Sequence, residues 1–473
     1  MLDPAGAPAA ATARPEHVVV GGTPPAADRP AEANDPLVDP LVDARTGIVR
    51  LLRPQPLHPH LPRQLRQVIA SLADTRPISG GGRGDPVAAG CAWWDRAAAT
   101  NAALGEAVER YCAALVPARL TGASYAELAS TGQAALDPHD LALFSAEQYA
   151  TPGFPFAPFT RDQRVRWVPG RDLTTGQPTL APASLIYTTY LNSAGAAGEP
   201  RLHPLRHAGL AAGRSRAHAE GAALLELVER DAVHTAWTRP APLRRVELPG
   251  WLHRLLQGPH RNLEPHVIQF PAAVDLSVVG VLLYDTDTEL VGLGTACRPD
   301  PLAAVFKAAA EAAQLHMLAH ALLEPGSAPL RLGAGPAGPL KPWRADRHYR
   351  RSYRPDWRDV RDLLCHAQLY LDPSMRTLLT GRLTGGPQLT VGDLPTGGPT
   401  SVAATVQHLS ARGLRTISVD VTTSEVAACG WHVVRVVAPD LYDNAPAAFP
   451  YLGGRRLGPA GPNGWCLLPL PYA

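Results

Sequence analysis

Residues 215–237 read SRAHAEGAALLELVERDAVHTAW, and the fold turns on this stretch. Its apolar residues recur at helical spacing, so a long helix is predicted from Ser215 to about Trp237. Glu226 and Glu229 fall at i, i+3 inside it, flanked by Leu224, Leu225, Leu227 and Val228. Both carboxylates therefore leave one side of a helix that has few other polar groups there.

Two further stretches repeat this theme of acids set into apolar helices. WWDRAAATNAALGEAVERYCAALV, Trp93 to about Val116, is predicted as a helix that Thr100 or Asn101 caps or interrupts. Ala102, Glu106 and Arg110 share one of its faces at i, i+4, i+8, while Glu109, next to Arg110, is expected to point elsewhere. PLAAVFKAAAEAAQLHMLAHALLE, Pro301 to Glu324, is the third, with Glu311 and Gln314 at i, i+3. Like-charged carboxylates in a crowded helix repel unless a cation separates them, and oxygen ligands suit Mg²⁺ with phosphates. The three helices could thus converge on a magnesium nucleotide. Solvated acidic faces supported by Arg110 and Arg230 are the alternative, and periodicity alone leaves both open.

Strands fill the intervals. RVRWVPGRDLTTG, PASLIYTTYL, HVIQFPAAV, VVGVLLYDT, LRTISVDVTT and GWHVVRVVAP read as strands, and LVDARTGIVRLL (41–52) as a hairpin or strand lead-in. PRQLRQVIASLAD from Pro62 reads as an amphipathic helix, and WLHRLLQG and SVAATVQHLSARG as shorter ones. Strands mixed with three dominant helices predict an α+β, mixed α/β, fold with one integrated core rather than Rossmann repeats.

The chain has 473 residues, 45% of them apolar, enough for a large core. A formal charge of +2 gives no global field to recruit nucleic acid or an acidic membrane, and no run of 18 apolar residues is present. No secretory signal pattern occurs at the N-terminus, so a cytoplasmic protein is expected. Cys91, Cys112, Cys297, Cys365, Cys429 and Cys466 include no CxxC pair, which excludes a zinc knuckle or a dithiol centre of that spacing. The 49 prolines and 42 glycines must collect in loops and tails. They are assigned to a disordered tail at 1–34, a Gly/Pro-rich loop near 326–343 that could act as a lid, and an extended C-terminal LPLPYA. P-loop, GxGxxG, HExxH and GxSxG patterns are lacking, so a nucleotide would bind without a P-loop. His203, His207 and His218 are acid/base candidates, each of which a loop or surface role explains as well.

From about Asp35 to the C-terminus the chain resembles the YcaO-domain family. The likeness rests on LVDARTGIVR (41–50), ALGEAVERYCA (103–113), LALFSAEQY (141–149) with FPFAPF after it, and WVPGRDLTTGQPTLAPASLIY (167–187). AGLAAG (208–213), LLELVERDA (224–232), EAAQ (311–314), ISVDVTT (417–423) and GWHVVRVVAP (430–439) complete it. Residues 35–473 would form one catalytic domain. The resemblance implies ATP- and Mg²⁺-dependent activation of a peptide-backbone amide. Glu106, Arg110, Glu226, Glu229, Glu311, Gln314 and Arg435 would hold the nucleotide, and Glu106, Glu226, Glu229 and Glu311 the metal. Arg435 would contact phosphate or shape the site, and Glu229, Arg110 and Pro471 would act in catalysis. The family tends to carry Ser at the position of Ala102 and Ser-Asn at His207-Ala208.

The activity so implied is that of a cyclodehydratase subunit forming thiazolines or oxazolines at Cys, Ser or Thr of a ribosomal precursor peptide. Thioamide or amidine formation and a non-catalytic scaffold are the alternatives. Pro469 and Pro471 match two prolines of the family's proline-rich tail, which is thought to reach the active site. Because the likeness begins soon after the N-terminal tail, leader-peptide recognition is expected from a separate E1-like (ThiF-like) partner, with homodimerisation left open.

Overall fold

A computed structural model describes residues 39–79, 84–193, 196–334 and 338–472. The tail expected at 1–34 lies outside these residues. In chain order the strands are β1 (Val49–Gln55), β2 (Leu65–Leu72), β3 (Val87–Trp93), β4 (Thr121–Ala123), β5 (Val165–Asp172), β6 (Pro178–Pro182) and β7 (Leu210–Gly213). They continue as β8 (Arg244–Glu247), β9 (Leu263–Gln269), β10 (Ser277–Asp285), β11 (Val291–Arg298), β12 (Gln388–Thr390), β13 (Ile417–Asp420) and β14 (His432–Val437). Three long helices, numbered apart from the shorter ones, are α1 (Arg96–Ala114), α2 (Arg216–Trp237) and α3 (Pro301–Leu323).

The strands form three sheets. One is the antiparallel set β1-β2-β3; the second runs β4-β5-β13-β14-β7 with β6 beside β5; the third runs β11-β10-β9-β8-β12. Pairing is antiparallel throughout except for β12 on β8, which makes the fold mixed α/β, as the sequence predicts. Each long helix bridges two sheets. α1 packs on β2 and β3 and also on β7; α2 on β7 and β14 and also on β10 and β11; α3 on β10 and β11 and also on β3. The apolar faces of the helices are spent on sheets, so their remaining faces are left to surround a common space.

Local chemistry explains the helix limits. Asp95 caps α1 by accepting from Ala97 and Ala98 N–H, in place of the expected Thr100 or Asn101. Trp93 belongs to β3, and Trp94 takes a positive φ of 60° where the chain turns into the helix. Ser215 caps α2, and Asp300 caps α3 with Pro301 in its first turn. α3 lies close on β11 because Gly294 has no side chain: a Cβ there would sit 2.1 Å from Ala308 O and 2.3 Å from Ala312 N.

Several expectations are corrected. The predicted helix at Pro62–Asp74 is strand β2, paired on both sides with β1 and β3; its long-range ladder overrides the local amphipathic pattern. PASLIYTTYL is not a central strand. β6 ends at Pro182 and Ala183–Ile186 form a buried helical turn, so the apolar run reflects enclosure rather than sheet pairing. The Gly/Pro-rich stretch near 326–343 contains a short helix, Ala328–Gly333, and its residues 335–337 lie outside the described part. Among the described residues no helix is long and apolar enough to cross a membrane.

Candidate active site

The free faces of α1, α2 and α3 enclose a cavity of about 2370 Å³. Glu106, Glu109 and Arg110 line it from α1, Glu226, Glu229 and Arg230 from α2, and Lys307, Glu311 and Gln314 from α3. The three long helices thus bring five carboxylates and three cations to one space. Of the two arrangements that the i, i+3 and i, i+4 spacings leave open, this is the converging one.

Each side chain is anchored differently. Glu106 accepts from Ala89 N–H at 2.8 Å and from Arg110 Nε at 3.1 Å, while Arg110 Nη1 also meets Asp85 at 2.9 Å. Glu109 accepts from Ala212 N–H at 2.7 Å. This donor is available because β7 is an edge strand whose outward N–H groups have no strand partner. Glu226 accepts from Gly209 N–H at 3.0 Å and stands 3.6 Å from Arg230. Gly209 has a φ of +84°, and a Cβ there would lie 2.2 Å from Val436 O, so only glycine turns this N–H onto the carboxylate. Glu311 pairs with Lys307 at 3.0 Å, and Gln314 Nε2 donates to Ala89 O at 3.3 Å.

Glu229 is the most enclosed of the five, 6% exposed. One of its oxygens accepts from Arg230 at 2.8 Å and Thr295 Oγ1 at 2.6 Å, the other from Cys297 N–H at 3.1 Å. Burial disfavours the Arg230 charge, but Tyr472, Glu229 and Glu226 together raise its pKa well above the ordinary value.

The cavity holds more negative charge than it can comfortably keep. Burial pushes the Glu109 carboxyl up to about 8, and burial pushes Glu226 up to about 7 against the pull of Arg230. A hard divalent cation is the group that would restore the charge of such an oxygen-only donor set, so the residues present fit Mg²⁺. This has a measurable consequence for the metal-free chain. Both groups bind protons more tightly folded than unfolded, so their contribution is full below the ordinary carboxylate value of 4.5 and lost as pH rises through about 7 to 8. The melting temperature of the metal-free chain is expected to fall across that window, and millimolar Mg²⁺ to flatten the fall. Equal pH dependence with and without Mg²⁺ would contradict the assignment.

The C-terminal tail reaches this cavity. Carbonyls of Leu468, Pro469 and Pro471 accept from Trp237 Nε1 at 2.7 Å, Tyr370 OH at 2.6 Å and Leu293 N–H at 3.1 Å, and Leu470 O lies 2.9 Å from His366 Nδ1. Prolines suit this buried path because they bring no N–H that needs a partner. The residue that lines the cavity is Tyr472, whose ring lies 4.7 Å beneath the Arg230 guanidinium; Pro471 itself is buried behind it and is not part of the lining.

Three other sequence expectations change. Glu109 faces the cavity after all, and its i, i+3 spacing from Glu106, the same as that of Glu226 and Glu229, is the signal that could have found it. Arg435 is outside the lining and 1% exposed, donating to the carbonyls of Ile186, Arg206, His207 and Ala208; of the two roles expected for it, shaping the site is the one its geometry allows. His203 is buried against Ser184 with its pKa lowered to about 4 by burial, which removes it as an acid/base candidate, and His207 lies outside the lining. His218 lies at the exposed rim.

The sequence model described as YcaO cyclodehydratase, ATP- and Mg²⁺-binding, matches residues 94–442. Among solved structures the chain is similar to a heterocyclase in complex with substrate and cofactor, with TM-score 0.59 and 21% identity over 85% of this chain and 51% of that one. It is similar also to YcaO from Methanopyrus kandleri bound with AMPPCP and Mg²⁺, with TM-score 0.55 and 21% identity over 84% and 89% of the two chains. A chain of the E. coli microcin synthetase McbBCD complex matches with TM-score 0.55 and 13% identity over 89% and 96%. This chain spans about half the length of the heterocyclase it matches. No curated protein matches it in sequence.

Proposed function

The chain belongs to the YcaO family, and from that premise we propose that it is an ATP- and Mg²⁺-dependent cyclodehydratase subunit acting on a ribosomal precursor peptide. In the proposed reaction a Cys thiol, or a Ser or Thr hydroxyl, adds to the preceding backbone carbonyl carbon. The resulting oxyanion takes the γ-phosphoryl group of ATP, and phosphate leaves as the thiazoline or oxazoline forms, with ADP as the other product. One observation carries the reading: the carboxylates of three separate helices meet in a single cavity large enough for a nucleotide and a peptide segment.

Bound Mg²⁺ would draw negative charge from the transferring phosphoryl group. Glu106, Glu226, Glu229 and Glu311 would hold it, with Glu109 added by the geometry. The chain's own residues prepare the site beforehand. Arg230, Thr295 and Cys297 fix the Glu229 carboxylate in one orientation, so it need not reorganise when a cation arrives. The backbone donors of Ala89, Gly209 and Ala212 do the same for Glu106, Glu226 and Glu109. Arg110 lies at the cavity with its guanidinium on Glu106 and Asp85, where a second anionic ligand can compete for it. Tyr472 caps Arg230 and closes one wall.

A separate E1-like (ThiF-like) protein is proposed to present the peptide leader. The McbBCD complex, matched over 96% of the similar chain, is itself a multi-chain synthetase, which supports a division of labour. The test combines purified chain, partner, candidate peptide, ATP and Mg²⁺ and follows released phosphate and peptide mass together. Loss of one water per phosphate released is expected. In a parallel reaction supplied with sulfide, replacement of oxygen by sulfur at unchanged phosphate release would reassign the chain to thioamide formation, and an unmodified peptide in both would overturn the enzymatic reading.

A further inference from the structure

A second cluster of ligating side chains stands apart from the carboxylates, farther along α3. His316 and His320 are one helical turn apart on it, and the segment between β1 and β2 lays His58 across them. One ring nitrogen from each of the three lies within 4.8 Å of the others. The His58 and His320 rings are stacked with centroids 3.8 Å apart, and those of His316 and His320 are 4.6 Å apart. Met317 Sδ accepts the His58 N–H at 3.1 Å and holds this crossing in place.

A buried carboxylate stands behind the cluster. Asp285, at the end of β10, accepts from His316 Nε2 at 3.1 Å and from His60 Nδ1 at 2.7 Å. It lies fully buried between the two rings, which are its side-chain partners. With Nε2 turned to Asp285, the ring of His316 has only Nδ1 left to offer a ligand. His316 is fully buried, and Nδ1 has no hydrogen-bond partner; neither has His320 Nε2. An unpartnered buried lone pair is costly unless something binds it.

We propose that His58, His316 and His320 form a site for a divalent transition metal of zinc type, separate from the magnesium site. Three imidazoles and an open fourth position suit Zn²⁺ and do not suit Mg²⁺, which takes oxygen ligands. Asp285 is the outer carboxylate that orients a ligating histidine and makes it more basic. Tetrahedral zinc sets nitrogen ligands about 3.3 Å apart, so rotation of the stacked rings by roughly an ångström completes the site. His58 and His320 also line the large cavity, which gives the ion an entry path and leaves the fourth position to water or a ligand. A metal here ties the β1–β2 segment to the helix that carries Glu311 and Gln314.

The test uses the full chain without a polyhistidine tag, stripped with chelator and titrated with Zn²⁺ against a chromogenic competitor, in the absence of ATP and peptide. One equivalent of tight zinc is expected, with tetrahedral ligand-field bands when Co²⁺ replaces it. His58→Gln and His320→Gln, each checked for folding by circular dichroism, should each weaken zinc binding at least tenfold. Glu226→Gln should leave it unchanged, so failure here and failure of the cyclodehydratase reading are separate results. Zinc well below one equivalent, or equal affinity in the wild type and both histidine variants, would overturn the proposal.

Discussion

Glu226→Gln is expected to reduce ATP-dependent phosphate release by about 100-fold or more while leaving the melting temperature unchanged or higher. Glu226 is, with Glu109, a carboxylate whose charge the metal-free fold tolerates poorly: burial pushes it up to about 7, with Glu229 adding like-charge repulsion against the pull of Arg230. Gln keeps the size and can still accept the Gly209 N–H while removing the charge that repels its neighbour. Stability and function should therefore move in opposite directions, the mark of a residue kept for a ligand rather than for the fold. Glu229→Gln is a less clean experiment, although sequence alone makes the two residues look equivalent. It removes the anion beside the buried Arg230, and breaking a buried ion pair costs about 3–5 kcal/mol, so lost activity there would mix metal loss with unfolding. Phosphate release by Glu226→Gln at the wild-type rate, with the partner and peptide present, would remove Glu226 from the metal site.

What the sequence revealed here was mostly what depends on neighbours three or four residues away. The long helices and their acidic positions follow from periodicity, because an i, i+3 pair such as Glu226 and Glu229 is fixed by the helix whatever packs around it; their meeting in one cavity is a tertiary fact. Where partners lie far away in the chain, local reading failed. β2 looks amphipathic and helical until β1 and β3 are placed on either side of it, and Val291–Arg298 gave no strand signal of its own although it forms the edge on which α3 rests. The site shows the same division. The helix face that Ala102, Glu106 and Arg110 share leaves Glu109 aside, yet the N–H that holds Glu109 comes from Ala212, in a strand no helical wheel includes. The prolines mark the tail as extended, but which side chain ends in the cavity depends on the register of its carbonyls against Trp237, Tyr370 and Leu293, and that register selects Tyr472 over Pro471.

Arg435→Met should destabilise the chain by about 3–5 kcal/mol, enough to lower soluble yield and the midpoint of denaturant unfolding sharply. The guanidinium sits on β14 between β13 and β7, 1% exposed, and donates to four main-chain carbonyls at 2.8 to 3.3 Å. Burial lowers its pKa to about 10, which still leaves it charged at neutral pH. Methionine fills much of the volume but leaves those carbonyls without a donor in a place water reaches poorly. Arg206, His207 and Ala208 lead directly into Gly209, so the same loss frees the backbone that sets Gly209 N–H on Glu226. Arg435→Lys keeps the charge without the fork and can serve fewer of the carbonyls, so it should fall between the wild type and Arg435→Met in stability. A phosphate-binding arginine would behave otherwise: both variants would keep wild-type unfolding midpoints and show a raised KM for ATP. That result would return Arg435 to the nucleotide; parallel losses of stability and activity, graded Lys then Met, would fix it as the residue that holds the edge of the carboxylate site in register.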